Sequence, residues 1–171
     1  ITLGIYRRIP VLVKENDPND NPWRASFLRM FDISNDSDLF HTADQLEVDG
    51  WHLVGNIFIK GAERMLPLYQ GVMATFYDHR AADVVKSNSA AKRQNQPRYL
   101  RMEEKQDPSR AAIPAYWVDI RDIGSLSSWM IGFSNVTSPT NERTFVAYPL
   151  PQAAVGNSTP IIDIGGRAHL K

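Results

Sequence analysis

The chain has 171 residues, 43% of them apolar, with 19 lysines and arginines against 19 aspartates and glutamates, and no cysteine. Such a length suits one domain with a sizeable core, while zero net charge excludes a strongly basic nucleic-acid module and the missing thiols exclude a disulfide framework or a thiolate metal site. No apolar run approaches the roughly 20 residues of a membrane span and no signal peptide is visible, which points to a cytoplasmic protein without a membrane partner.

The start at Ile1, already inside an apolar segment, reads as a single domain (1–171) excised from a larger chain. Residues 1–13 are rich in β-branched and aromatic side chains and predict one or two short strands, bent at Pro10. The Asn-, Asp- and Pro-dense stretch 15–22 is a loop. Apolar residues resume from Trp23 to Phe31, with a spacing that suits helix or strand. Asn35, Asp36 and Asp38 are dense enough in oxygen to hold a hard cation. Without the central Gly and terminal Glu of a calcium loop they read better as helix caps. Thr42-Ala43-Asp44-Gln45 has the form of a capping box and predicts a short helix to about Asp49, closed by Gly50. Trp51 to Lys60 predicts a hairpin around Gly55-Asn56.

The pivot is Leu66 to Arg80. It opens as an extended apolar run, with Pro67 favouring an extended Leu66. Tyr69, Met73, Phe76 and Tyr77 then fall at i, i+4, i+7 and i+8, which predicts one face of a helix. The run ends in the polar cluster Asp78-His79-Arg80, so a buried hinge delivers polar side chains to a surface. Residues 87–96 form a polar loop carrying Lys92 and Arg93. Pro97 to Arg101 predicts a short strand with Arg98 and Arg101 on one face, and 103–110 a charged loop. Strands follow at 114–120, 129–136, 144–150 and 161–164, the middle two joined as a hairpin with the polar tip 138–143. The chain is therefore α+β, with short helices in the N-terminal part (1–65) and an antiparallel-sheet-rich C-terminal part (66–171).

Familiar catalytic signatures are missing. The four histidines have no metal-ligand spacing. There is no Gly-rich phosphate loop and no Gly-x-Ser-x-Gly elbow. Trp117-Val118-Asp119 does not lead into the Glu-x-Lys of a metal-dependent nuclease. Neither the Asn-Pro-Pro-Tyr of an amino methyltransferase nor a Gly-rich cofactor loop occurs.

Four stretches taken together carry a resemblance: Ile5-Tyr6-Arg7-Arg8-Ile9-Pro10-Val11-Leu12; Met30 to Phe40; Leu66 to Gly71 with Tyr77-Asp78-His79-Arg80; and Thr140-Asn141-Glu142-Arg143-Thr144 running to Val155-Gly156-Asn157. In order and spacing the chain resembles the target-recognition region downstream of the catalytic motifs in adenine-specific DNA methyltransferases. These belong to bacterial type II restriction–modification and phage-defence systems, with or without a fused endonuclease. The resemblance implies a module that clasps double-stranded DNA beside the methyltransferase domain of the same parent chain. S-adenosylmethionine would be bound by that other domain, and no cofactor or catalytic residue is expected here. Many relatives carry a Lys where this chain has Val72.

In that setting Arg and Lys set register on phosphates, while Arg, Asn and Gln read base edges in the major groove. The candidates are Arg80, Lys92, Arg93, Gln94, Asn95, Arg98, Arg101, Asn141, Arg143 and Asn157. Each has a structural alternative: Arg80 pairs with Asp78 or Asp83, Arg143 pairs with Glu142 or braces the hairpin tip, and Asn157 supplies a turn. Two other functions compete with base reading. One is a bridge between domains. The other is a fragment of a DNA-cleaving enzyme, whose mark would be a buried carboxylate pair near His41, His52, His79 or His169.

Overall fold

The computed structural model describes residues 2–9, 12, 21–85, 96–124, 128–143 and 145–164. Of the loop expected over 87–96, residues 87–95 lie outside them, as do the bend at Pro10 and the C-terminal tail from Gly165, while Gln96 is already in a strand. The α+β expectation holds: antiparallel pairing dominates and the helices are short. No helix of the described residues is long and apolar enough to cross a membrane.

The axis of the fold is β4 (Glu63–Tyr69), whose residues from Met65 to Tyr69 are all buried. One edge pairs antiparallel with β3 (Ile57–Lys60) through Glu63, Arg64 and Met65, then parallel with β10 (Ala154–Val155) through Leu68 and Tyr69. The other edge pairs with β7 (Trp117–Asp119), and the Leu68 N–H donates to the Tyr116 carbonyl at 3.0 Å. By strand alternation the nitrogen of Pro67 faces the first edge. There it falls at the changeover between β3 and β10, where a missing N–H costs no ladder bond. β2 (His52–Val54) completes this sheet through the expected Gly55-Asn56 hairpin, in the register Val54 to Ile57. The turn is anchored as well as permissive: the Asn56 carbonyl accepts from Trp117 Nε1 at 2.8 Å, and its Nδ2 donates to the Ala112 carbonyl at 3.1 Å.

A second sheet is antiparallel throughout, in the order β1 (Ala25–Leu28), β11 (Ile161–Ile164), β8 (Trp129–Phe133), β9 (Ala147–Pro151). Its inner residues Met130, Tyr148, Leu150 and Ile161 pack with Tyr69, Met73 and Val155 into the central core. On the other face Phe27, Phe133 and Phe145 form a row of rings with centroids 5.8 and 5.5 Å apart. A third, two-stranded ladder joins β5 (Ala82–Val85) to β6 (Gln96–Tyr99).

Among the helices, α2 (Ala43–Val48) has the expected capping box. The Thr42 hydroxyl accepts from the Gln45 N–H, and Gln45 Oε1 accepts from the Thr42 N–H at 2.9 Å. Gly50 follows at φ 82, a conformation that only glycine adopts cheaply. Leu46 of this helix packs on Trp51, Phe58, Met65 and Trp117.

Four expectations are corrected. Thr2–Tyr6 is a helix, α1, not a strand: β-branched residues favour a strand where a partner ladder exists, and here the segment closes local bonds such as Ile9 N–H to Ile5 carbonyl at 2.9 Å. The helix expected after Gly71 is a single 3-10 turn, Gly71–Met73, because the Met73 N–H bonds to the Gln70 carbonyl three residues back. The charged stretch after Arg101 contains a helix, α3 (Met102–Gln106), started by Glu104 reaching back to the Arg101 N–H at 2.9 Å. Finally, Arg98 and Arg101 do not share a strand face: β6 ends at Tyr99, and a spacing of three points side chains to opposite faces of an extended chain. A short α4 (Ile120–Ile123) follows β7, capped by the Asp119 carboxylate on the Arg121 N–H.

Gly132 is the tightest point of the inner sheet face. A Cβ there would lie 2.8 Å from Leu150, 2.9 Å from Tyr148 and 3.1 Å from Thr159, all buried. Gly132→Ala is therefore expected to destabilise the fold by about 1–3 kcal/mol through overpacking. A urea melt with an unchanged midpoint would contradict that.

Candidate nucleic-acid interface

Where β4 ends, the chain makes the Gly71–Met73 turn and enters a two-residue hairpin. Thr75 and Asp78 exchange both backbone hydrogen bonds, at 2.7 and 2.9 Å, which leaves Phe76 and Tyr77 at the tip. Tyr77 has φ 63, in the left-handed region, and the residue is 81% exposed. Phe76 lies against it with centroids 4.1 Å apart, and the guanidinium of Arg143 sits over the Phe76 ring at 4.6 Å. Arg143 thus comes from the tip of the β8–β9 hairpin to the tip of the turn after β4, a cation–aromatic contact.

Between these elements runs an open cleft of about 400 Å³. Its walls include Ala74 and Thr75 of the turn, Tyr99 of β6, Lys105 of α3, and Ser134 and Asn141 of the β8–β9 hairpin. A shallower hollow continues from Gly71 and Val72 to Ser158, whose Oγ accepts from the Gly71 N–H at 3.0 Å. The turn after β10 is held to β4 by the Gly156 N–H on the Tyr69 carbonyl at 2.9 Å. It is held to the 30–40 stretch by Asn157 Nδ2 on Asp32 Oδ2 at 3.3 Å.

The candidates separate by what their side chains touch. Arg80 donates to the carbonyls of Lys105, Asp107 and Arg110, each at 3.0 Å, and lines a different cavity of about 140 Å³. Of its two expected partners, Asp78 accepts the Arg80 backbone N–H at 2.8 Å instead, and binds Lys105 Nζ at 2.6 Å. Arg98 pairs across the β5–β6 ladder with Asp83 and also with Glu104. Asn157 is pinned on Asp32, in a turn as its alternative had it. Arg101, Asn141 and Arg143 are exposed. Lys92, Arg93, Gln94 and Asn95 lie outside the described residues, as does His169. The residues that sequence reasoning missed are Tyr77 and Tyr99. Tyr77 gave no signal, because a tight turn with a left-handed residue announces itself through Gly or Asn, and this one has neither.

The electrostatics belong to a scaffold. Asp83 is buried and accepts from Arg98, from Arg110 at 2.6 Å and from the Ile113 N–H at 2.9 Å. The hydrogen bonds from Arg98, then from the Arg101 N–H, hold the Glu104 carboxyl down at about 2. Burial works against the charge on Asp78, but the bonds from Lys105 and the Arg80 N–H outweigh it and keep its carboxyl below the usual range. His79 is pushed down by burial and by the Arg80 charge. The other buried carboxylate, Asp119, pairs with Arg121 and is lowered by that hydrogen bond. No group of three or more His, Asp or Glu that could hold a metal ion occurs among the described residues.

Comparison of the chain with family models, with curated proteins and with solved structures found no match.

A depressed carboxylate stabilises the fold above its unfolded pKa, and that stability is lost as pH falls through the folded value. With Glu104 at about 2, melting temperature is expected to decline from about pH 5 down to about pH 2. Glu104→Gln should make that decline shallower. Identical slopes for both proteins would show that the Arg98–Glu104 pair does not couple to folding.

Proposed function

We propose that the chain is a sequence-specific double-stranded DNA recognition module of a restriction–modification adenine methyltransferase, non-catalytic by itself and cytoplasmic. The observation that carries this reading is convergence. Three of the four stretches behind the resemblance meet at one place: 30–40 through Asp32, 66–80 through Gly71 to Asp78, and 140–157 through Asn141, Arg143 and Asn157. Gly71, Val72, Ala74, Thr75 and Asn141 line one cleft, whose charged wall residue is Lys105. The Asp32–Asn157 bond, between residues 125 apart in the chain, holds the turn that carries Ser158 into the adjoining hollow.

On this reading the candidates divide their work. Arg80 and Arg98 brace the scaffold from behind. Arg143 supplies charge toward a phosphate or a guanine, and Asn141 has the donor and acceptor to read an adenine edge. Residues 92–95 belong to the connection between β5 and β6 and remain candidates for base contact. The parent chain supplies S-adenosylmethionine binding and the rest of the clamp.

The test is anisotropy of a labelled duplex carrying the parent's methylation site, titrated with the chain across a salt series. Arg143→Ala is expected to weaken binding at every sequence and to reduce the salt slope by about 1. Asn141→Ala in the parent enzyme is expected to relax one position of the methylated sequence, at a cost of about 1–3 kcal/mol in discrimination. Methylation sites that stay identical in both variants, with unchanged affinity, would favour the bridge between domains instead.

A further inference from the structure

We propose that the Phe76–Tyr77 turn is a base-stacking wedge, with Tyr77 taking the face of a nucleobase that has left the duplex stack. The inference rests on the DNA-recognition reading above and names how the module grips distorted DNA.

The first observation is strain without local return. An L-aromatic residue at φ 63 is disfavoured relative to Gly or Asn. Burial does not offset that cost, because Tyr77 as a residue is 81% exposed. A turn selected for stability alone would carry glycine at this position.

The second is the mount. Thr75 and Asp78 close the turn with two backbone bonds. Asp78 is fixed by the Arg80 N–H and by Lys105, and the Ala81 N–H returns to the Met73 carbonyl at 2.9 Å. Arg80 is tied to three carbonyls. A large ring is thus displayed on a rigid base, so little entropy is lost when it docks.

The third is the chemistry of the tip. Phe76 supports the Tyr77 ring edge-on, and Arg143 backs Phe76 with a positive charge. An aromatic face beside a guanidinium suits a base that is unstacked yet still tethered to its phosphates. The adjoining cleft, with Thr75, Tyr99 and Asn141 on its walls, gives such a base polar neighbours on one side of the tip.

The experiment uses the full chain with two labelled DNAs, a paired duplex and the same duplex with a one-nucleotide bulge, whose base is already unstacked. Wild type is expected to bind the bulged DNA about tenfold more tightly. Tyr77→Gly should lose roughly five- to hundredfold in affinity for it and bring the preference close to one, while Tyr77→Phe should keep it. Because glycine relieves the left-handed strain, Tyr77→Gly should also melt at or above the wild-type temperature, which separates lost stacking from lost folding. Tyr77→Asn, which tolerates the same backbone, serves as the second variant. A wild type that binds duplex without favouring the bulge, or a Tyr77→Gly protein that keeps the preference, overturns the wedge and leaves the DNA reading standing. Failure of the wild type to bind either DNA overturns both. A lower melting temperature for Tyr77→Gly would mean the ring serves the fold, and the wedge would fall.

Discussion

Everything else in the molecule answers to the burial of five consecutive residues in β4. Covering both faces of a strand and both of its edges requires partners on all four sides. Met65 is covered by α2 and its cluster, Leu68 by Phe31, Phe40 and Val118, and Tyr69 by the inner face of the second sheet. Each such side chain is worth about 1.5–3 kcal/mol when removed from water. The backbone polar groups beneath them must also be paired, so the adjacent β3 and two strands from distant parts of the chain, β7 and β10, dock on this one. The buried Tyr69 hydroxyl, its pKa pushed up to about 12 by burial, is a polar cost of the arrangement, and a hydrogen bond with the Asn56 side chain eases it. The Asn56 backbone carbonyl holds Trp117 and its side-chain amide holds Ala112, so the hairpin turn, β7 and β4 are locked through one residue.

Charge is organised by the same logic. A chain with equal numbers of cations and anions commits several of its cations to internal work: Arg80 on carbonyls, Arg98 and Arg110 on Asp83, Lys105 on Asp78, Arg121 on Asp119. A buried carboxylate such as Asp83 is tolerable only when paired, and here two guanidiniums and the Ile113 N–H share that duty. Arginine suits that duty, because its planar fork serves two acceptors at once. Neutral overall charge therefore says little about the face where Arg143 lies, since so many charges cancel inside the scaffold.

Local signals in the sequence translated into structure where one turn of chain decides the outcome. The Thr42–Gln45 box, the Gly50 helix end and the Gly55-Asn56 hairpin each depend on neighbours within four residues. The apolar run at Leu66 was legible as an extended, buried element. Misreadings arose where distant contacts decide. Tyr69 and Met73 share the core, which mimicked a helical face, yet Phe76 and Tyr77 leave it at a turn that no glycine marks. The parallel docking of β10 on β4 joins residues more than eighty positions apart and leaves no periodic trace. At the cleft, Asn141 and Arg143 were nameable as polar residues on a hairpin tip. The loss of Arg80 and Arg98 to internal acceptors was hidden, because Asp83 meets Arg98 only through the β5–β6 register and Arg110 only through the packing of the segment after α3.

The pairing at Asp83 also bears on how such a module changes over time. By joining β5 to β6, to α3 through Glu104 and to the segment at Arg110, it fixes the two strands that the connection spans. Once the ends of a segment are held, doubling its length costs only about 0.6 kcal/mol in closure entropy. Lengthening of the chain between Val85 and Gln96 is thus expected to add little closure entropy. A change at Asp83, by contrast, would disturb everything it joins.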